Sequence, residues 1–197
     1  AGQTPLRADL GREVALVACD SQKVVPGTLF LCKGAAFKGR YLSDALQKGA
    51  FAYVSERPYP EGGAAPCIQV TDIRTAMGLM ADLAYGHPSA ALSITGITGT
   101  KGKTTTAYYL KSILDAWREE EGKRPSAILS TIVTDDGLER RPAKLTTPEP
   151  LDLQRHLFHA WSAGAEYVTM EVSSQALKYG RVIGVDLSCA VFLNIGE

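Results

Sequence analysis

Residues 96–106 combine the residue types that hold phosphate groups in nucleotide-binding proteins. They read GITGTKGKTTT and follow a short apolar run, ALSIT, at 91–95. A strand that enters a glycine-rich loop before a helix leaves backbone N–H groups free at the helix start, where the helix dipole favours anions. Lys103 can then reach the β- and γ-phosphates, and the Thr104 hydroxyl can bind Mg²⁺. The order of these residues predicts a phosphate-binding loop.

This loop departs from the commonest pattern, G-x-x-x-x-G-K-[ST], because Ile97 stands where that pattern has its first glycine. Gly99 and Gly102 still let the backbone approach phosphate oxygens without an intervening Cβ. The alternative is a plain glycine-rich turn with a solvated lysine. The succession of strand, G-x-x-G-K-T-T and amphipathic helix argues against that alternative.

Glu171 is the second candidate for chemistry. It lies in the predicted strand YVTMEVSS, 167–174, and open α/β sheets bind ligands at the carboxyl ends of their strands. Mg²⁺ prefers oxygen ligands, so a carboxylate near Thr104 would serve as one. A glutamate at a strand end is also often simply exposed to solvent. Both interpretations remain open from the residues alone.

Two further stretches carry polar residues with undecided roles, KLTTPEP at 144–150 and EVSSQALKYGR at 171–181. The first holds two threonines before a proline-bounded helix start, and helix capping explains one of them. In the second, serines suit a turn, and the arginine is either a surface charge or a clamp for an anion.

The elements that must position these residues form two predicted α/β parts. In the first, up to residue 88, apolar runs predict strands and helical spacing predicts helices; a proline in GHPS ends its last helix. The predicted strands are 27–34, 51–56 and 67–70, and the predicted helices are 41–50 and one capped by Thr71 or Asp72.

The second part, 89–197, alternates strands and helices in the way that predicts a mostly parallel sheet with crossover helices. A DDG turn at 135–137 and an apolar helix face with Leu153, Leu157, Ala160 and Trp161 belong to this part. The predicted strands are 91–95, 126–134, 167–174 and 188–196, and the predicted helices are 103–118 and 151–163.

Composition excludes several classes of function. The chain has 197 residues, 45% of them hydrophobic, and 21 basic residues balance 21 acidic ones, which argues against a nucleic-acid-binding protein. Its apolar runs are shorter than the roughly 18 residues that cross a bilayer, so we expect no membrane insertion. By spacing, the four cysteines and three histidines complete no metal pattern. Cys32 and Cys189 are predicted to be buried free thiols, which favours a reducing cytoplasm.

Taken together, five segments resemble the Mur ligases, and among them the MurE type, which adds a diamino acid to a UDP-N-acetylmuramoyl dipeptide. The segments occur in the family's order and cover nearly the whole chain. They are DSQKVVPGTLFLCKG (20–34), GITGTKGKTTT (96–106), LTTPEPLDLQ (145–154), MEVSSQAL (170–177) and GRVIGVDLSCAVFLNIGE (180–197).

The resemblance implies a fold and a reaction. The fold is a small N-terminal α/β domain for the UDP substrate, residues 1–88, followed by an incomplete P-loop ATPase domain with a mostly parallel sheet, residues 89–197. In the reaction, ATP phosphorylates the terminal carboxylate of the UDP-linked muramoyl peptide. An amino acid's amine then attacks the acyl phosphate, and an amide, ADP and phosphate result. Such phosphoryl transfer needs mainly positioning and charge neutralisation.

The resemblance also implies roles for single residues, with Lys103 and Glu171 as the catalytic pair and Ser21 at the uridine end. The phosphates of ATP would be bound by Gly99, Thr100, Lys101, Gly102, Lys103, Thr104 and Thr105. Mg²⁺ would be held by Thr104 and Glu171, and the muramoyl peptide by Thr146, Thr147, Ser173 and Arg181. Whether the amino acid is L-lysine, meso-diaminopimelate or another compound stays open, as does the oligomeric state.

Three departures from the family pattern indicate a divergent branch: Lys101 replaces an asparagine, Gln22 an arginine and Gln175 a histidine. The family also continues beyond residue 197, so we expect this chain to be an N-terminal fragment that does not complete ligation alone. Two other functions remain open. One is a related ATP-dependent amide ligase, such as a cyanophycin-synthetase-like or cell-wall-modifying enzyme. The other is a non-catalytic module that binds a nucleotide or UDP-sugar.

Overall fold

The computed structural model describes residues 13–34 and 36–196. The chain forms two compact units, the first ending at Met80 and the second beginning at Ala81. The first 12 residues of the predicted N-terminal domain and Glu197, the last residue of the resembling segments, lie outside the described residues. The domain boundary after residue 88 stays a prediction.

The first unit is built on a four-stranded parallel sheet with the strand order β1-β2-β3-β4. All four residues of β2 are buried, which confirms the buried strand predicted within 27–34. The elements are β1 (Leu16–Ala18), β2 (Thr28–Leu31), α1 (Gly39–Gln47), β3 (Ala50–Ser55), β4 (Cys67–Gln69) and α2 (Ile73–Ala84).

The start of α2 shows why the sequence folds as it does here. The Asp72 carboxylate accepts hydrogen bonds from the backbone N–H groups of Arg74 (3.0 Å) and Thr75 (3.3 Å). The Glu56 side chain accepts a third, from the N–H of Ile73, at 3.1 Å. Of the two predicted caps, Asp72 is therefore the correct one, because its oxygens satisfy N–H groups that the helix itself leaves unpaired.

The second unit contains a six-stranded sheet with the order β10-β5-β9-β6-β7-β8. The first four strands in this order are mutually parallel, and β7 is antiparallel to both of its neighbours, β6 and β8. The strands are β5 (Ser93–Thr98), β6 (Ala127–Leu129), β7 (Val133–Asp135), β8 (Arg140–Pro142), β9 (Tyr167–Glu171) and β10 (Cys189–Phe192). The helices are α3 (Lys103–Glu120), α4 (Pro150–Ser162) and α5 (Ser174–Lys178).

The single strand predicted at 126–134 is wrong, because the chain turns after β6 and returns as β7. Buried Ser130 makes this turn: its hydroxyl oxygen accepts hydrogen bonds from the N–H groups of Ile132 (3.2 Å) and Val133 (3.0 Å). A serine that bonds the backbone two and three residues ahead offers an alternative to continued strand pairing. The DDG turn at 135–137 is confirmed as the link between β7 and β8.

The core of the second unit packs α4 against the central strands. Leu153, Leu157 and Ala160 are buried as predicted, together with Ile94, Leu129 and Met170 of the sheet. Trp161, predicted on the same face, is instead 51% exposed, because at about 100° per residue it lies at the edge of this face, farthest around the helix from Ala160.

The two predicted buried thiols have different outcomes. Cys32 is buried, and its burial raises the pKa of the thiol to about 12. Cys189 is exposed, so that prediction is wrong. It lies on β10, which is at the end of the strand order in the described sheet and has a neighbouring strand on one side.

Candidate nucleotide and substrate site

The glycine-rich loop that is predicted to bind phosphate, here called the phosphate loop, lies between β5 and α3. Helix α3 begins at Lys103, and Gly102 before it adopts a left-handed conformation, with φ at 85°. Gly102 has no side chain that could cap this helix start, which leaves the first N–H groups suited to an anion. A left-handed residue at this position favours glycine.

Lys103 curls back over the loop. Its ammonium donates to the carbonyl of Gly99 at 2.5 Å and approaches that of Thr100 at 3.4 Å. The charge of Lys103 is thus held beside the uncapped helix start, where phosphate oxygens would be bound. A lysine that lies over the loop favours a phosphate-binding loop over a plain glycine-rich turn with a solvated lysine.

Glu171 ends β9, directly beside β5, since Ile97 and Glu171 are paired in register. Its side chain is fully buried, so the interpretation as an exposed strand-end residue is wrong. The Thr104 hydroxyl donates to its Oε2 at 3.0 Å. The predicted pairing of Thr104 with Glu171 is therefore a direct contact in the structure.

The same carboxylate receives two more hydrogen bonds from Thr131. The backbone N–H donates to Oε1 at 2.8 Å, and the hydroxyl lies 3.1 Å from Oε2. These three donors are all uncharged. None of them supplies a positive charge to balance a buried carboxylate, so this position is suited to a nearby cation.

Thr131 is a candidate site residue that the sequence did not reveal. It follows β6 at the same sheet edge as Glu171, and its hydroxyl is also 3.1 Å from that of Thr146. The strand-end rule that identified Glu171 would have found it. Treating 126–134 as one strand hid the turn in which it lies.

The two threonines before α4 have different surroundings. Thr147 is fully buried; its hydroxyl donates to the carbonyl of Glu171 (2.9 Å) and accepts from the N–H of Ser173 (3.0 Å). It therefore fixes the end of β9 to the loop. Thr146 instead lines the cavity described below. One threonine is structural, and its neighbour is placed to contact a ligand.

Arg181 is neither a free surface charge nor far from this loop. It donates to the carbonyl of Thr147 at 3.2 Å and pairs with the Glu149 carboxylate at 2.8 Å. Ser173 caps α5 by accepting from the N–H of Ala176 at 3.1 Å. Both side chains thus hold the segments that follow β9 and precede α4.

One cavity of about 380 Å³ brings most of the predicted site together in the second unit. Gly99 does not line it; a Cβ there would lie 3.1 Å from that of Leu193, so a packing contact also requires this glycine. The lining residues are Thr100, Lys101, Gly102, Lys103, Thr104, Thr105, Thr131, Thr146, Glu171 and Ser173. Ser21 lies in the first unit, where its side chain is mostly buried.

The structure also assembles a group that spacing did not reveal, formed by Asp136, Glu139, His156 and His159, whose potential ligand atoms lie within 4.8 Å of one another. One oxygen of Asp136 contacts Nδ1 of His156 at 2.6 Å and Nδ1 of His159 at 3.0 Å. Burial raises the pKa of Asp136, but hydrogen bonds from both imidazoles and two backbone N–H groups outweigh it and hold the pKa below its ordinary value.

The protons of this group favour a hydrogen-bond network over a metal site. Nε2 of His156 faces the guanidinium of Arg141 at 3.2 Å and that of Arg155 at 3.4 Å. Guanidinium groups only donate and carboxylates only accept, so neutral His156 carries its proton on Nδ1, toward Asp136. A metal on Nδ1 would move that proton to Nε2, against two cations. These donors therefore do not fit a metal.

Comparison with known proteins places these features in a family. The model of the Mur ligase middle domain matches residues 97–197. The UDP-N-acetylmuramyl-tripeptide synthetase of Limosilactobacillus reuteri is 45% identical over 179 residues, 91% of this chain and 34% of that protein. The UDP-N-acetylmuramoyl-L-alanyl-D-glutamate–L-lysine ligase of Enterococcus faecalis is 45% identical over 93% of this chain and 35% of its own length. The chain thus spans about a third of the length of these relatives.

Solved structures agree with this placement. A UDP-N-acetylmuramoyl-L-alanyl-D-glutamate–2,6-diaminopimelate ligase superposes with a TM-score of 0.77 at 26% identity, over 95% of this chain and 37% of that one. MurF from Acinetobacter baumannii, at 24% identity and a TM-score of 0.59, shares the fold over 94% of this chain and 36% of its own. Within residues 13–34 and 36–196, none of the helices combines the length and apolarity that a membrane crossing needs. The middle-domain match covers more than half of the chain, and the chain belongs to the Mur ligase family.

Proposed function

We propose that this chain carries the UDP-substrate and ATP-phosphate sites of a MurE-type ligase, which adds a diamino acid to UDP-N-acetylmuramoyl-L-Ala-D-Glu. The observation that carries the proposal is the 3.0 Å contact between Thr104 of the phosphate loop and buried Glu171. It brings a helix start suited to phosphates next to a carboxylate suited to a cation. The names of the relatives supply the substrate class.

The phosphates of ATP would lie along the loop from Thr100 to Thr105. The uncapped start of α3 supplies N–H donors, and Lys103 supplies a positive charge that now rests on the Gly99 carbonyl. Bound phosphate oxygens would compete for this ammonium with a full negative charge, which makes the stronger hydrogen bond. We therefore assign Lys103 to the β- and γ-phosphates.

The residues around Glu171 fit a magnesium ion. Hard oxygen donors are what Mg²⁺ requires, and the Thr104 hydroxyl and Glu171 carboxylate are adjacent. The three hydrogen bonds to this buried carboxylate come from neutral groups, so the ion would supply the missing positive charge. Bound there, it would neutralise charge that develops on the transferring phosphoryl group.

The peptide carboxylate would bind in the same cavity beside Thr146 and Ser173, which line it together with the phosphate loop residues. Its oxygen attacks the γ-phosphorus, ADP leaves, and an acyl phosphate forms. The amine then attacks the acyl carbon, and phosphate leaves. Thr146 and Ser173 would position the carboxylate, while Arg181 holds the backbone of Thr147 and so the shape of this wall.

The UDP portion would be bound by the first unit, which has a cavity of its own of about 630 Å³. Its lining includes Phe37 and Tyr59, whose ring centroids are 5.1 Å apart, and Arg57, which lies over the Tyr59 ring. Aromatic faces suit a base, and a guanidinium suits a diphosphate. We assign residues 1–88 to the UDP substrate and 89–197 to ATP, and place the protein in the cytoplasm, consistent with four cysteines that form no disulfide.

Two binding titrations of the 197-residue chain test this proposal. Isothermal titration calorimetry with ADP and Mg²⁺ should show binding that Lys103→Ala removes, because the variant loses the cation at the phosphates. Thr75→Val, which removes a hydroxyl bonded to Asp72 in the first unit, should bind like the wild type. Unchanged binding by Lys103→Ala would refute the phosphate loop, and no heat with UDP-N-acetylmuramoyl-dipeptide would refute the substrate assignment.

A further inference from the structure

The segment after β10, residues 193–196, is bonded to the phosphate loop. The side chain of Asn194 makes two hydrogen bonds to the backbone of Lys101: its Oδ1 accepts from the Lys101 N–H, and its Nδ2 donates to the Lys101 carbonyl, both at 3.1 Å. One amide group therefore satisfies both backbone groups of a single loop residue.

Backbone contacts on either side strengthen this connection. The N–H of Leu193 donates to the Thr98 carbonyl at 3.0 Å, and the N–H of Thr100 donates to the Asn194 carbonyl at 3.2 Å. The N–H of Gly196 donates to the Thr100 hydroxyl at 2.9 Å. The pairing of β5 with β10 ends at Thr98 and Phe192, so these bonds continue the connection into the loop itself.

Packing keeps the two segments at this distance. A Cβ added at Gly99 would lie 3.1 Å from the Cβ of Leu193 and 3.2 Å from the backbone nitrogen of Asn194. Contacts of that length are tighter than ordinary van der Waals contacts. Gly99 thus permits an approach of the backbones that the Asn194 amide then fixes in orientation.

We propose that Asn194 is a positioning residue that fixes the Lys101 peptide groups and so aims the N–H groups at the start of α3 toward the phosphates. This inference rests on the proposed nucleotide site. The side-chain amide has separate donor and acceptor atoms, so it can bond the N–H and the carbonyl of Lys101 at once. An alanine does neither, and an aspartate accepts from the Lys101 N–H but repels its carbonyl.

The same contacts would also exist if Asn194 only stabilised the fold. The two roles differ in what a substitution changes. Asn194 is exposed, and exposed substitutions away from the core change global stability little. A loop that must be reordered on binding instead loses affinity for its ligand. A positioning role therefore predicts weaker nucleotide binding at an almost unchanged unfolding temperature.

The test compares Asn194→Ala with Ile195→Ala in the 197-residue chain; Ile195 is a neighbouring side chain that is 81% exposed. We expect Asn194→Ala to weaken MgADP binding about tenfold in calorimetry, the size of effect expected from losing two modest hydrogen bonds. In ¹H–¹⁵N spectra it should move or broaden the amide signals of the loop from Gly99 to Thr104. Ile195→Ala should do neither.

The outcomes separate this inference from the proposed function. If the wild type binds MgADP and Asn194→Ala binds it equally well, Asn194 does not position the loop. If Asn194→Ala weakens binding only in step with a lowered unfolding temperature, the role is structural and the inference is likewise wrong. If the wild type itself does not bind MgADP, the proposed nucleotide site fails first. Asn194→Asp keeps one of the two bonds but adds a negative charge that repels phosphate. Its affinity for MgADP should therefore be further below that of the wild type at low salt than at high salt.

Discussion

Glu171→Gln separates the charge of this carboxylate from its shape. The hydroxyls of Thr104 and Thr131 now donate to Oε2, and the N–H of Thr131 donates to Oε1. Glutamine can keep its oxygen on the Thr131 N–H and place its NH₂ group where Oε2 is, because hydroxyls can reverse from donor to acceptor. All three contacts survive, and only the negative charge is lost.

The energetic terms of this change oppose one another in the absence of metal. Three hydrogen bonds to a charged group contribute roughly 1.5–3 kcal/mol each, against about 0.5–1.5 kcal/mol each for neutral ones, so the substitution loses about 3–4.5 kcal/mol. Removing a buried charge regains a desolvation cost of several kcal/mol. The two nearly cancel, and we expect the free energy of unfolding without ligand to change little.

Glu171→Gln should differ from the wild type in how much MgADP stabilises the native state. A ligand at 100 times its dissociation constant stabilises the native state by about 2.7 kcal/mol. For a chain of this size each kcal/mol raises the unfolding temperature by about 2–4 °C, so MgADP at that concentration should raise that of the wild type by about 5–11 °C. Glu171→Gln loses the carboxylate that would hold Mg²⁺, so adding Mg²⁺ to ADP should give it almost no extra shift.

Thermal unfolding followed by circular dichroism, with ADP at fixed concentration and Mg²⁺ varied, measures both terms. Glu61→Gln serves as the control, because it makes the same chemical change at an exposed glutamate of the first unit. Two results would refute the reasoning: a Mg²⁺ response in Glu171→Gln equal to that of the wild type, or a large stability loss without ligand.

Two other predictions concern neighbouring groups. Thr131→Val keeps the backbone bond to Glu171 but loses the hydroxyl bond. In isothermal titration calorimetry it should raise the Mg²⁺ concentration needed for half-maximal ADP binding about tenfold, and Thr131→Ser should restore the wild-type value. Burial lowers the pKa of His156 below its ordinary 6.5 despite the bond to Asp136. The unfolded chain therefore binds the proton first, and stability should be full above about pH 6.5 and fall as the pH drops through the folded pKa. In urea unfolding, His156→Asn should flatten that part of the profile and leave the further loss below about pH 4 that the depressed pKa of Asp136 predicts.

The parts of the site that could be predicted from sequence are those governed by local rules. The phosphate loop follows from a strand, two glycines and a lysine at fixed spacing. The contact of Thr104 with Glu171 follows because neighbouring parallel strands end at one edge, although 67 positions separate the two residues. In the first unit, a run bounded by glycines was enough to predict that β2 is buried on both faces.

What could not be predicted depends on side chains that meet across the fold. The run at 126–134 is apolar enough for one strand, and only the bonds of Ser130 to the following backbone show that it turns. Asp136 and His156 are 20 positions apart, and Asn194 and Lys101 are 93 apart. Each pair meets because the elements that precede or carry the two residues are neighbours in the fold, and the spacing of residues in the sequence does not specify those neighbours. Cys189 is exposed for the same reason, since β10 is the last strand in the order of the sheet that the described residues form.

The position of Thr131 gives the site a physical connection between its two sides. Its one hydroxyl proton can be given to Glu171 or to Thr146, each 3.1 Å away, but not to both at once. The Glu171 carboxylate would be a weaker acceptor if it held a cation, and the Thr131 proton would then turn toward Thr146. The Thr146 hydroxyl would then be free to donate its own proton into the cavity, toward a substrate carboxylate. Thr131, in the turn of three residues between β6 and β7, therefore connects the carboxylate of Glu171 with the hydroxyl of Thr146.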